Sequence, residues 1–322
     1  MQEISPKNSR VWSRLGQSGT ICGIALPEIL SQREDCYVMT ADLGHTVGLS
    51  RVMENFEDRF VNVGIAEQNL IGVASGMAFD GAVVFATTFA TFITMRCYEQ
   101  IRHNLGYQKA NVKLIGFASG TAMGMFGNTH YSLEDLAIMR AIPNMVVLSP
   151  ADASEAYLAV NKAAEYEGPV YIRLSGNLNT PIVYKEPYTF QIGKAVTLRQ
   201  GEHITLIAAG AMVCEAQKAA DRLQEKGIAV GVINMHTIKP LDTDVLDDVS
   251  GQELIVTIEE HNVIGGLGSA VAEYYARKEQ RPRQIMIGIE DQFVHPGESD
   301  FVRKENGLDA ESICNRIIKE MS

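Results

Sequence analysis

The sequence predicts an α/β protein built as two open, mainly parallel-sheet domains. Short β-branched or aliphatic runs alternate with longer helical patterns along the whole chain, which is the pattern of parallel strands covered by helices. That rhythm stops once, at 176–200, and then restarts. The 322 residues exceed one small core and fit two units of about 150 residues each.

In the first unit the spacing predicts strands at 36–41, 60–63, 83–87, 112–117, 145–149 and 169–174. Helices are expected at 18–33, 66–79, 89–105, 132–140 and 153–166. Gly and Pro mark several joints, as at Gly168-Pro169, and Pro27 counts against an unbroken first helix. The stretch 176–200 holds Pro181 and Pro187 with little periodicity and reads as the crossing. The expected division is therefore a domain at 1–180, a linker at 181–200 and a domain at 201–322. The second unit should run strand 203–209, helix 211–226, strands 228–234 and 254–259, helix 266–278 and strand 285–289. A last helix is expected near 309–320, after Gly307 and Asp309. The halves share only their α/β rhythm, with no short repeat.

Composition narrows the function classes. Hydrophobic residues make up 46% of the chain and no low-complexity tract occurs, as in a globular protein. No apolar run reaches the roughly 18 to 20 residues that span a bilayer, and residues 1–17 lack the apolar core of a signal peptide, so a cytoplasmic location is expected. The five cysteines, Cys22, Cys36, Cys97, Cys214 and Cys314, are scattered and form no C-x-x-C pair, against a disulfide framework or a thiolate metal site. With 28 basic and 39 acidic residues the net charge is -11, which argues against nucleic acid or an anionic membrane as partner.

The most informative residue is Glu67, in Val63-Gly64-Ile65-Ala66-Glu67-Gln68-Asn69. Counting at helical spacing gives Leu70, Ile71, Ala74 and Ala78, so the carboxylate heads the apolar stripe rather than the polar one. Burial disfavours a charge there while the helix dipole favours it. The bland alternative is a carboxylate that caps the first turn and reaches solvent.

Four further segments are candidates for chemistry on the same grounds of residue type and spacing. Thr87-Thr88-Phe89-Ala90-Thr91-Phe92 carries two phenylalanines at i, i+3, ordinarily a core pair. Here they follow a strand at the edge where open α/β sheets place ligands, and an aromatic wall beside a buried carboxylate suits a flat heterocycle. Gly124-Met125-Phe126-Gly127-Asn128-Thr129-His130 is a glycine-rich turn before a helix, an anion site or an ordinary loop. His130 fits a structural histidine as readily as a functional one. So does His45, in Asp42-Leu43-Gly44-His45-Thr46. Gly265-Gly266-Leu267-Gly268 has Val271 where a dinucleotide fingerprint needs glycine, so it reads as tight strand-to-helix packing. Metal-ligand spacings, the nucleophile elbow and the phosphate-binding G-x-x-x-x-G-K are missing.

Taken together, VGIAEQN (63–69), TTFATF (87–92), GNTH (127–130), MRAIPNMVVLSPAD (139–152) and GPVYIRLS (168–175) resemble the transketolase family's pyrimidine-binding domain in order and spacing. IKPLD (238–242) and IEEH (258–261) resemble its C-terminal domain. The resemblance covers roughly residues 10–320 and is specific as a set, VGIAEQN being the only segment that is specific alone. It implies that Glu67 contacts the aminopyrimidine of thiamine diphosphate, that Phe89 and Phe92 pack against that ring, and that His130 lies near the thiazolium and substrate. Glu67 and His130 are then the catalytic candidates, with His45 and Thr46 as substrate candidates. A carboxyl bonded to the ring nitrogen promotes the imino tautomer that activates the cofactor.

The diphosphate-binding GDG segment of a full-length transketolase does not occur. The chain thus resembles the C-terminal half of a split transketolase. It holds no metal ligands of its own in this reading; an N-terminal diphosphate-binding subunit supplies the Mg2+ or Ca2+ site, in an α2β2 heterotetramer. The activity implied is transfer of a two-carbon ketol unit between sugars. Departures from the family pattern are Phe126 for an Asp, Ala118 for a substrate-contacting His, and Gly176 for the Arg that grips a sugar phosphate. They point to an atypical or unphosphorylated sugar, unless Arg173 or a partner residue takes over. The competing expectations are the beta subunit of a 2-oxoacid dehydrogenase, a 1-deoxyxylulose-phosphate-synthase-like enzyme, and a non-catalytic scaffold subunit.

Overall fold

A computed structural model describes residues 2–176 and 178–321. The first half contributes strands β1 (Cys36–Thr40), β2 (Phe60–Asn62), β3 (Val83–Phe89), β4 (Val112–Ser119), β5 (Val146–Leu148) and β6 (Val170–Ser175). The second contributes β7 (Val196–Arg199), β8 (Ile204–Ala208), β9 (Gly231–Asn234), β10 (Thr237–Lys239), β11 (Leu254–Asn262) and β12 (Arg283–Ile289). They form two sheets, in the orders β10-β5-β6-β4-β3-β1-β2 and β12-β11-β8-β9-β7. Pairing is parallel throughout, apart from the edge strands β10 and β7. All eight residues of β4 are buried, as a strand covered on both faces must be. The fold class is the one the alternating pattern implies.

The differences have local causes. The stretch expected as a linker, 181–200, ends in β7, which pairs antiparallel with β9 through Val196 and Asn234. Strand β10 leaves the second half and pairs with β5 of the first sheet, Thr237 opposite Leu148. Strands of three or four residues are too short to show a period. The first helix starts at Pro6, where the Ser5 hydroxyl caps Asn8 N–H. Gly16, at φ 69°, breaks it near the expected start, and a π-helical turn, Ile21–Ala25, leads into Leu26–Gln32. Pro27 stands in the first turn of that last segment, where its missing N–H costs little. The helix expected at 89–105 starts later, because β3 runs through Phe89; it is wound as π-helical turns at Phe92–Arg96 and Ile101–Tyr107. No helix among the described residues is long and apolar enough to cross a membrane.

Two buried polar seams join the halves. At the first, Arg173 on β6 meets Asp135 with Nε to Oδ2 at 2.8 Å; the side chains are 5% and 0% exposed. Tyr171 donates to the same oxygen at 2.6 Å. Arg173 Nη2 donates to the carbonyls of Ser132 and, at 2.8 Å, Glu260 on β11. Burial pushes the Glu260 carboxyl up, but the bidentate Arg303 and the Thr121 hydroxyl hold it below the ordinary carboxylate range. At the second seam Asp152 caps Glu155 N–H and accepts from Val183 and Tyr184 N–H, while Glu155 takes both bonds from Asn234 on β9. Burial pushes Asp152 up to about 6 against those N–H donors.

Breaking the first seam from one side strands a buried charge. Arg173→Met should lower unfolding free energy by about 3–5 kcal/mol. Pairing it with Asp135→Leu should cost less than the sum of the single changes, since no charge is then left alone. Urea unfolding of the three variants measures this, and a loss under about 1 kcal/mol for Arg173→Met would remove the ion pair from the account of the fold.

Candidate active site

In a parallel sheet the carboxyl ends of neighbouring strands face one edge, and loops leaving that edge carry ligand-binding groups. Strands β4, β3, β1 and β2 are consecutive neighbours. The candidate residues follow their carboxyl ends: His45 and Thr46 after β1, Glu67 after β2, Phe89 at the end of β3 with Phe92 beyond it, and His130 after β4. Two loops are tied together by Asn62, whose Oδ1 accepts from Asp42 N–H and Gly64 N–H at 3.0 Å each. Gly64 lies in the left-handed region at φ 74°, which a glycine enters without strain.

Glu67 is the first residue of the helix Glu67–Phe79 and is 5% exposed. Leu70, Ile71 and Ala74 are buried below it, and no side chain caps this helix. The carboxylate therefore does not reach solvent. Its partner is Arg96, with Nη1 to Oε1 at 2.6 Å. The Arg96 guanidinium also lies 4.2 Å from the centre of the Phe92 ring, a cation–π distance.

Around this pair the aromatic rings close up. Phe89 and Phe92 are 5.9 Å apart edge to face, and the His130 ring lies 5.2 Å from Phe92 and 6.3 Å from Phe89. Phe126 approaches His130 at 5.0 Å. Nδ1 of His130 is 2.9 Å from the Thr129 hydroxyl. The structure thus brings Phe89, Phe92 and His130 together and links Glu67 to them through Arg96. His45 and Thr46 are exposed on the same edge, with His45 Nδ1 3.4 Å from the Ser50 hydroxyl. Arg96 escaped the reading of the sequence, although its i, i+4 spacing from Phe92 was visible.

The departures at 118 and 176 are a matched pair. A Cβ on Gly176 would come within 3.0 Å of the Ala118 backbone and side chain, and Ala118 itself stands at φ 53°. Arg173 is bonded to Asp135 and to two backbone carbonyls. The glycine-rich turn at 265–268 is closed by the protein's own carboxylate: Glu259 accepts from Leu267 and Gly268 N–H at 2.6 and 2.8 Å. That supports its reading as packing rather than as an anion site. Among the described residues no group of three or more His, Cys, Asp or Glu side chains could hold a metal ion.

Comparison with known proteins agrees with this geometry. Residues 17–180 match the family model of the transketolase pyrimidine binding domain, and 193–313 match that of the transketolase C-terminal domain. A putative transketolase C-terminal section from Methanocaldococcus jannaschii is 42% identical, over 93% of this chain and 94% of that protein. One of the subunits of an apulose-4-phosphate transketolase, from Actinobacillus succinogenes, is 38% identical, over 87% and 91%. A solved split-gene transketolase, described as an inactive beta4 tetramer, superposes with a TM-score of 0.85 at 40% identity, covering 94% of this chain and 97% of that one.

The tight contact at 176 makes its own prediction. Gly176→Arg should destabilise the fold by about 1–3 kcal/mol through overpacking. Ala118→Gly in the same chain should recover part of the loss, because it removes a Cβ and relieves a positive φ. An unchanged urea midpoint for Gly176→Arg would show that the loop opens freely and that the two positions are independent.

Proposed function

Because the chain belongs to the transketolase family, of which it carries the pyrimidine-binding and C-terminal domains, we propose that it is the C-terminal subunit of a split, thiamine-diphosphate-dependent transketolase. It moves a two-carbon ketol unit from a ketose donor to an aldose acceptor. The observation that carries this reading is the buried Glu67 carboxylate at a helix start, beside the rings of Phe89, Phe92 and His130.

These residues fit the flat, nitrogen-bearing half of the cofactor. When bound, thiamine diphosphate supplies the nucleophilic carbon that adds to a ketose carbonyl. With the cofactor bound, the Glu67 carboxyl would give a hydrogen bond to a ring nitrogen, from a position that is almost wholly buried. Phe89 and Phe92 give the ring an apolar wall. With Nδ1 of His130 engaged by Thr129, Nε2 is left to exchange a proton with a substrate hydroxyl.

The other half of the site belongs to an N-terminal partner subunit that holds the diphosphate and its Mg2+ or Ca2+, in an α2β2 assembly. Support comes from the relative that is named as one subunit of a transketolase and from the split-gene relative described as inactive when built of beta chains alone. The sugar is an atypical one: Arg173 is committed, and Gly176 is packed on Ala118. Met125 and Phe126 stand exposed before His130, and apolar side chains cannot pair with a phosphate. His45 and Thr46 meet the substrate from the loop after β1.

Two outcomes test the reading. The isolated chain should bind thiamine diphosphate weakly and turn nothing over, while the pair reconstituted with its partner and Mg2+ should do both; tight binding and turnover by the isolated chain would sink the split-site proposal. Glu67→Gln in the reconstituted enzyme should fold normally and lose at least about 10²-fold in kcat, the lower range for a positioned acid–base group. Near-normal kcat at saturating cofactor would take Glu67 out of the mechanism.

A further inference from the structure

Arg96 meets both features that make the site suit a flat heterocycle. Its guanidinium is planar, cationic and rich in donors. It donates to the Glu67 carboxylate at 2.6 Å and stands 4.2 Å from the Phe92 ring centre. It is also held from behind, since Gln68 Nε2 donates to the Arg96 carbonyl at 3.0 Å. The π-helical turn Phe92–Arg96 sets this geometry, and such turns recur at functional sites. The Arg96 side chain is 45% exposed while that of Glu67 is 6% exposed, so the arginine has a path to solvent that the carboxylate lacks.

We propose that Arg96 is a displaceable positioning residue: in the free subunit it holds Glu67 in place and fills the position of the cofactor's aminopyrimidine, and it swings out when that ring enters. The inference rests on the reading of the site as the pyrimidine half of a thiamine diphosphate site. It adds a coupling. The ion pair with Arg96 needs the Glu67 carboxylate, whereas a hydrogen bond given to a ring nitrogen needs the acid form. Exchange of one partner for the other therefore takes up one proton from solvent, and the guanidinium leaves with its charge intact.

The test uses the full-length chain and thiamine, which lacks the diphosphate and so needs no metal. Calorimetric titration in two buffers of different ionisation enthalpy gives both the affinity and the protons taken up. The wild-type chain should bind weakly with uptake of close to one proton. Arg96→Gln should bind roughly two- to fivefold tighter with less uptake, the scale expected for releasing a partly exposed ion pair, and Arg96→Lys should fall between. Thermal midpoints of the three forms show whether each is folded. Where thiamine binds the isolated chain too weakly to measure, the same comparison with thiamine diphosphate and Mg2+ on the reconstituted complex decides. Folded variants that bind no tighter than wild type overturn the role of Arg96, and the proposed function then stands if the wild-type complex still binds the cofactor. Absence of cofactor binding by the wild-type complex overturns both.

Discussion

The architecture turns on one buried arginine. Arg173 leaves β6 with its guanidinium out of water, and a buried guanidinium must find both a counter-charge and acceptors for its remaining N–H groups. Asp135 supplies the charge, and the carbonyls of Ser132 and Glu260 supply the acceptors. Because Ser132 follows the His130 loop and Glu260 belongs to the second sheet, a single side chain fixes the loop, the helix Asp135–Ala141 and the neighbouring domain together. The adjoining Glu260 carboxylate extends the tie to Thr121 and Arg303. Removing any one member of such a network strands the others in a low-dielectric interior, which makes the seam sensitive to each of its residues.

That constraint gives the candidate site its character. The loops after β1 and β2 are tied together by Asn62 and the loop after β4 is held by the Arg173 seam, yet the tips of the last two carry Ile65, Met125 and Phe126 at 81%, 71% and 66% exposure. The loop after β12 joins them: Asn128 donates to the Val294 carbonyl at 2.8 Å, and neighbouring Phe293 is 81% exposed. Large apolar residues exposed on the loops around the site mark a surface built to be covered, in keeping with a subunit of a split enzyme.

Much of this is legible in the sequence. The alternating pattern locates ten of the twelve strands among the described residues, because a parallel strand buried on both faces leaves a continuous apolar run. The burial of Glu67 follows from counting at helical spacing through Leu70, Ile71 and Ala74. What stays hidden is of two kinds. Strands β7 and β10 are short edge strands whose existence depends on a partner elsewhere in the chain, and no local period encodes that. Arg96 and Arg173 look alike in the sequence, one exposed and facing the site, the other buried and structural. Only the acceptors that surround each of them in space tell the two apart.

The pair Gly176 and Ala118 carries the point to specificity. Read singly, each is the loss of a polar side chain from a substrate pocket. In the fold they touch: a Cβ at 176 would meet residue 118 at 3.0 Å, and Ala118 holds a positive φ where β4 shifts its register against β6. Restoring a cation at 176 would therefore require the β4 end to move, and that end leads into the His130 loop held by the Arg173 seam. Positions 118 and 176 and the domain seam are thus mechanically one unit, so the two residues act as a set, and Arg173 cannot leave Asp135 and its two carbonyls without loosening the join between the sheets.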